Sequence, residues 1–143
     1  MAQASTTEIF NCSPSEFYKI IADYSGYPQF LTEVKDCKVL KTDGNKKLVE
    51  FSVSVMKSFK YSLWMTEVEN SLVSWEFAGG DVFKTMKGHW KLEDEGGKTR
   101  ATYSVEASFG MFVPGPIANA LVSVNLPNMM ASYHKRIKQV YGK

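Results

Sequence analysis

Residues 83–92 read FKTMKGHWKL, and the second half of this stretch alternates apolar or small side chains with lysine and histidine. A period of two is typical of a β-strand that has one face on a core and the other face in water. The same alternation recurs over residues 49–55, 73–77 and 102–107. The sequence therefore predicts a sheet that is covered on a single side.

Short breaks separate these stretches, and they contain glycine, asparagine or aspartate, as in Asp43-Gly44-Asn45 and Gly79-Gly80-Asp81. Connections this short leave only antiparallel neighbours. Six consecutive strands are predicted, over residues 34–42, 47–56, 59–69, 72–78, 83–93 and 98–109. They form a meander, and a weaker alternation over residues 5–12 predicts one more strand before it.

A helix start follows the first predicted strand. Ser13 can cap a helix, Pro14 suits its first position, and Glu16 completes a Ser-x-x-Glu capping box. One buried face is predicted for Phe17, Ile20, Ile21 and Tyr24. We expect this helix to end at Ser25-Gly26, with Tyr27 extended before Pro28 and a short second turn through Phe30 and Leu31.

The last part of the chain returns to a helical period. From Ile117 to about Tyr141, a stripe at spacings of three and four comprises Val122, Leu126, Met129, Tyr133, Ile137 and Val140. Pro127 lies inside this stripe and should kink the helix. We therefore expect an α+β fold in which a curved antiparallel β-sheet wraps around a long C-terminal helix, with one or two short helices after the first strand.

A coiled sheet and a single long helix leave room on the concave side. The predicted lining is mostly large and apolar, and it is expected to bind a ligand. It comprises Phe51, Trp75, Phe77, Trp90, Tyr103 and Phe109 from the sheet, Leu121, Val122, Asn125 and Met129 from the helix, and Met111 near the entrance. A filled core without a ligand is equally consistent with the composition, because aromatic rows on strands usually serve packing alone.

Three stretches resemble one known family. They are Tyr27-Pro28-Gln29-Phe30-Leu31, Val49-Glu50-Phe51-Ser52-Val53 and residues 83–92. Together with the order of elements, they are similar to the START-like (helix-grip, or SRPBCC) superfamily, and within it to the polyketide cyclase/dehydrase and coenzyme Q-binding protein family, which includes a bacterial ribosome-association toxin. The resemblance implies a hydrophobic cavity for a quinone, a lipid or a polyketide, and thus binding, carriage or chaperoning of a lipophilic small molecule.

Chain length and the numbers of histidines and cysteines limit the classes of function that the sequence can have. A chain of 143 residues is expected to form one domain over residues 1–143. Two histidines on different elements and two cysteines give no metal-ligand spacing, and no cofactor or catalytic motif is predicted. With no disulfide framework, no signal peptide and no apolar run of membrane-spanning length, a cytoplasmic location is expected.

Two alternative functions stay open. A polyketide cyclase, aromatase or dehydratase would need an acid or base in the cavity. The candidates are Tyr61, Tyr103, Arg100 and Glu106, but Arg100 and Glu106 share the sheet face opposite Tyr103. The chain is therefore expected to be a binding protein rather than an enzyme.

An interaction module is the other alternative. Lysines at 57, 60, 84, 87 and 91 would give an outer sheet face for a ribosome, for nucleic acid or for anionic lipid. A solvated face that discourages edge association explains these lysines more simply. The segment Met111-Phe112-Val113-Pro114 is predicted to be a mobile gate that contacts a membrane surface peripherally.

Overall fold

In the computed structural model, which describes residues 2–55, 57–110 and 113–142, seven strands form one antiparallel sheet. The strands are β1 (Ala2–Phe10), β2 (Val34–Asp43), β3 (Lys46–Val55), β4 (Lys57–Val68), β5 (Leu72–Gly80), β6 (Phe83–Glu95) and β7 (Lys98–Phe109). Their order across the sheet is β1-β7-β6-β5-β4-β3-β2. The six-strand meander is confirmed, and β1 adds to it by pairing with β7.

The first strand begins and ends earlier than the predicted range of 5–12. It pairs with β7 from Ala2, opposite Ala107, to Phe10, opposite Thr99. The alternation in the sequence of β1 is weak, so the pairing with β7 determines where the strand begins and ends. Beyond it, Cys12 accepts a 2.8 Å hydrogen bond from the hydroxyl of buried Thr99 through its backbone carbonyl.

Helix α1 (Pro14–Ile21) begins as predicted. The Glu16 amide donates to Ser13 Oγ at 3.2 Å, and the Ser13 amide donates to Glu16 Oε1 at 2.9 Å. This reciprocal pair satisfies two amides that the first turn leaves without helical partners.

The segment after α1 is a 3₁₀ helix (Tyr24–Gln29), so the prediction of an extended Tyr27 before Pro28 was wrong. Tyr24 and Tyr27 are buried side chains, and the Tyr27 hydroxyl donates to the Ile21 carbonyl. These tertiary contacts outweigh the local preference of the residue before proline.

The C-terminal helical region is divided rather than merely kinked. It consists of α2 (Gly115–Asn119), a π-helical turn (Ala120–Val124) and α3 (Leu126–Tyr141). Pro127 stands at the beginning of α3, where its missing amide hydrogen costs little. The break therefore falls at Asn125, two residues before the proline.

The latter half of this region closes one end of the concave face. Met130, Tyr133 and Ile137 of α3 are buried, and the Tyr133 ring lies 5.2 Å from the Trp90 ring. Phe17 of α1 approaches the same Trp90 ring at 5.2 Å. No helix within the described residues has the length and apolarity needed to cross a bilayer.

Gly88 is the small residue in the alternation of β6, and its neighbours leave no room for a side chain. A Cβ atom there would lie 2.6 Å from the Trp75 ring and 2.5 Å from the Ser104 carbonyl oxygen. The Trp75 ring therefore occupies the space above Gly88, and its indole is held along the concave face of the sheet.

Candidate functional site

A cavity lies between the concave face of the sheet and the divided helical region, and it holds about 150 Å³ of open space. Strands β3 to β7 supply one wall, and the segment from Ala120 to Tyr133 supplies the other. An apolar cavity of roughly this size can hold one benzene-sized ring. The hollow is therefore present, and it is small.

Seven of the eleven predicted binding residues lie in the lining of this cavity. They are Phe51, Trp75, Trp90, Tyr103, Val122, Asn125 and Met129. The sheet residues among them share the inward face because they fall in register across neighbouring strands, as Trp90 does with Tyr103.

Phe77 and Phe109, which were also predicted, are absent from the lining. Their rings pack against Phe83, with centroids 6.4 and 5.1 Å from its ring, and Phe83 itself faces the cavity. A register shift between Phe83 and Thr85 turns Phe83 inward. Met111 lies outside the described residues, and so does the side chain of Leu121.

Several lining residues were missing from the predicted set. Those with the strongest consequence for chemistry are Tyr27, Glu33, Tyr61 and Tyr133. Inward alternation of Tyr61 with Leu63 and Met65 was the available sequence signal for β4. Tyr27 and Glu33 gave no such signal, because they lie in irregular segments between α1 and the start of β2.

Aromatic rings organise the wall in two groups. In the first, Tyr61 stacks on Phe51 with centroids 5.5 Å apart and meets the edge of Phe83 at 5.0 Å. In the second, Tyr103 lies 5.7 Å from Trp75 and 4.9 Å from Trp90. Ring pairs at these separations are favourable beyond the area that they bury.

Burial raises the pKa of each tyrosine that lines the cavity. For Tyr61, Tyr103 and Tyr133 the main cause is loss of solvation of the phenolate, and for Tyr61 and Tyr133 the charge on an ionised Tyr103 adds to it. Burial likewise raises the pKa of Tyr27. All four phenols are therefore protonated at neutral pH, and they act as hydrogen-bond donors rather than bases.

The cavity approaches the surface near Glu33 and Asn125. A shallow depression outside shares Glu33, Val55, Ala120 and Asn125 with the cavity lining. Both sides of this mouth are irregular in backbone, since Glu33 lies between the 3₁₀ helix and β2, and Asn125 lies at the break before α3. This mouth is a route by which a ligand could reach the interior.

The two histidines do not form a metal site. His89 lies among residues of the outer sheet face, and His134 Nε2 lies 2.8 Å from Glu8 Oε1 beside the ring of Phe10. Among the described residues, no group of three or more histidine, cysteine or acidic side chains could hold a metal ion.

The outer face carries mixed charge. In the register of β5, β6 and β7, Lys87 lies opposite Glu76 on one side and Glu106 on the other. Arg100 is exposed, and Glu106 lines outer-face depressions, so neither reaches the cavity. Of the lysines predicted for this face, Lys87 is therefore flanked by carboxylates on both sides.

Comparisons of the sequence with known proteins point to one family. The family model described as polyketide cyclase / dehydrase and lipid transport matches residues 11–132. Two proteins from Vibrio cholerae strains, both named ribosome association toxin RatA, are 28% identical over 154 aligned residues, which cover all of this chain and all of theirs.

Solved structures show the same fold. A START superfamily protein from Mycobacterium smegmatis superposes with a TM-score of 0.85 at 20% identity, covering 96% of this chain and 98% of that one. Zhui aromatase/cyclase from Streptomyces sp. R1128 superposes with a TM-score of 0.84 at 10% identity, covering 99% and 97%. Because the family model matches residues 11–132, most of the chain, this protein belongs to the polyketide cyclase / dehydrase and lipid transport family.

Proposed function

We propose that the protein binds a lipophilic small molecule in the cavity and carries or chaperones it. The observation that supports this is the hollow of about 150 Å³ behind a mostly apolar wall. Native interiors are close-packed, so an apolar space of this size at the junction of sheet and helix is better explained as a binding site than as a packing defect.

The mouth gives this ligand a way in. The hollow matches a single ring, so a longer molecule requires the segment Ala120–Asn125 to move away from the sheet. Its π-helical turn and the break at Asn125 replace regular α-helical backbone there. π-turns inside helices frequently coincide with functional sites. We infer that the ligand has a ring-sized apolar head and a tail that leads toward Glu33 and Asn125, as a quinone, lipid or polyketide could.

A cyclase or dehydratase is the second candidate. It is favoured by Glu33, which is the only carboxylic acid among the described lining residues and lies at the mouth. A single half-buried carboxylate could act as a base, but the phenols in the described lining are poor acids to complement it, because burial raises their pKa. Carriage therefore remains the better supported proposal.

Ribosome association is a third candidate, and the two RatA relatives favour it. Contacts to phosphates would use clustered basic side chains and weaken steeply with salt. The pairing of Lys87 with Glu76 and Glu106 in register argues against this use of the outer face. Salt-dependent cosedimentation of the protein with ribosomes would favour this candidate over carriage.

The proposed carrier works in the cytoplasm. Both cysteines are buried thiols, which suits a reducing compartment. The predicted membrane gate includes Met111 and Phe112, which lie outside the described residues.

Extraction of the purified protein with organic solvent, followed by mass spectrometry, tests the proposal. We expect one class of apolar compound to be recovered in about equimolar amount. Ala120→Trp, at the mouth, should reduce this recovery, whereas Ala131→Trp, on an exposed position of α3, should leave it unchanged. Equal recovery from all three proteins, or recovery of nothing, would argue against carriage in this cavity.

A further inference from the structure

We propose that the hydroxyls of Tyr61 and Tyr103 donate hydrogen bonds to an uncharged oxygen, such as a carbonyl, in the body of the cavity ligand. This inference deepens the proposed function and rests on it. It predicts that the ligand is not a plain hydrocarbon but carries at least one oxygen acceptor in the part that contacts these two tyrosines.

The rings of both tyrosines are held by their neighbours. Tyr61 is fixed between Phe51 and Phe83, and Tyr103 is fixed by Trp75 and Trp90, with all four ring centroids within 5.7 Å. A phenol has only two side-chain torsions, and these contacts fix both. The two donors are therefore preorganised, which lowers the entropic cost of binding an acceptor.

Two other inner tyrosines, Tyr24 and Tyr27, have a protein partner for their hydroxyls. Tyr24 donates to Glu67 at 2.6 Å, and Tyr27 donates to the Ile21 carbonyl. By contrast, no described residue bonds to the hydroxyl of Tyr61 or Tyr103.

These two hydroxyls are also not sealed within packed protein. Over the described residues, no fully enclosed side-chain nitrogen or oxygen lacks a hydrogen-bond partner. Both oxygens are therefore accessible, and both side chains line the cavity. An acceptor oxygen on the ligand would give each donor a partner there.

The charged residues of the cavity lining indicate which kind of oxygen acceptor the ligand carries. The described lining contains no lysine or arginine, so nothing there would neutralise a carboxylate or phosphate. Burial also raises the pKa of both phenols, which keeps their protons in place at neutral pH. A carbonyl, ester or ether oxygen fits both constraints.

Two probes of nearly equal shape test the inference. Indane and 1-indanone differ by one carbonyl oxygen, and both approach the size of the hollow. Their affinities for the full-length wild-type protein and for a Tyr61→Phe/Tyr103→Phe double variant can be measured by NMR titration. We expect the double variant to bind 1-indanone about 3- to 10-fold more weakly, with unchanged affinity for indane. The two single variants then show which hydroxyl carries the effect.

A measurement of thermal stability shows whether the double variant is still folded, so that weaker binding is not caused by unfolding. Because neither hydroxyl bonds to a described residue, the double variant should unfold at a midpoint temperature close to that of the wild type. Tyr27→Phe is the matched control, and it should lower the midpoint by about 3–5 °C, since it removes a donor from the Ile21 carbonyl.

The outcomes separate this inference from the proposed function. If both probes bind and the double variant discriminates between them no less than the wild type does, the inference is overturned and the cavity keeps its role. If neither probe binds the wild type, both proposals fall together.

Discussion

Trp90→Ala is expected to lower the free energy of unfolding by about 3–5 kcal/mol, the usual range for a large aromatic truncated in a core. The Trp90 side chain is 2% exposed. Its ring lies within 5.2 Å of Phe17, Tyr103 and Tyr133, and so joins α1, β7 and α3 through one indole. Because Trp90 also lines the cavity, the truncation enlarges a space that is already hollow, and the surrounding side chains are poorly placed to collapse into it.

Trp64→Ala is the matched control for this prediction. Trp64 lies on the outer sheet face and is half-buried, so its loss should cost about 1 kcal/mol. Urea unfolding followed by far-ultraviolet circular dichroism measures both variants without relying on tryptophan emission. Equal destabilisation by the two substitutions would mean that the core is not centred on Trp90.

Raising the pH above 10 is expected to unfold the protein cooperatively. Tyr24, Tyr27 and Tyr133 are buried, and burial is the main cause that raises the pKa of each above its ordinary value of 10. For Tyr24, the hydrogen bond to Glu67 adds to the rise. An unfolded chain would release these protons near pH 10, while the folded chain retains them.

The direction of the effect follows from this difference in bound protons. Below pH 10 these tyrosines are protonated in both the folded and the unfolded state, so they give stability no dependence on pH. Above pH 10 the unfolded state binds fewer protons, so stability falls by about 1.4 kcal/mol per pH unit for each tyrosine. Three such groups give a fall of about 4 kcal/mol per pH unit, which continues until the folded pKa values are reached.

Absorbance at 295 nm and circular dichroism, recorded along one alkaline titration, check this prediction. Tyrosinate from the buried side chains should form together with the loss of native structure. In Tyr24→Phe the fall in stability above pH 10 should be less steep by about 1.4 kcal/mol per pH unit, the share of one tyrosine. Stability at neutral pH also decreases in this variant, because the bond to Glu67 is lost. Gradual ionisation of all seven tyrosines while the native spectrum persists would contradict the account.

Much of the sheet was predictable because its signal is local. Alternation over residues 83–92 depends only on which face meets the core, and the predicted strand 83–93 corresponds to the observed β6. The capping box at Ser13 and Glu16 was predictable for the same reason, since every atom involved lies within one turn.

The site was less predictable, because it depends on how distant elements meet. Phe77 and Phe83 are both large and apolar, and only the register shift before Thr85 determines that Phe83 faces the cavity. Glu33 and Tyr27 lie in segments without regular period, and tertiary contacts fix their positions. The last helix is divided at Asn125 rather than at Pro127, and the local effect of the proline does not account for that position.

The central claim is that the hollow accepts an apolar guest, and ¹H–¹⁵N NMR with indane tests it most directly. The account predicts saturable shifts at cavity residues of β3, β7 and the divided helix in the wild type and in the exposed control Ala131→Trp, and their loss in Val53→Phe, whose new ring fills the space. Indane shifts confined to exposed residues, or retained unchanged in Val53→Phe, would contradict it.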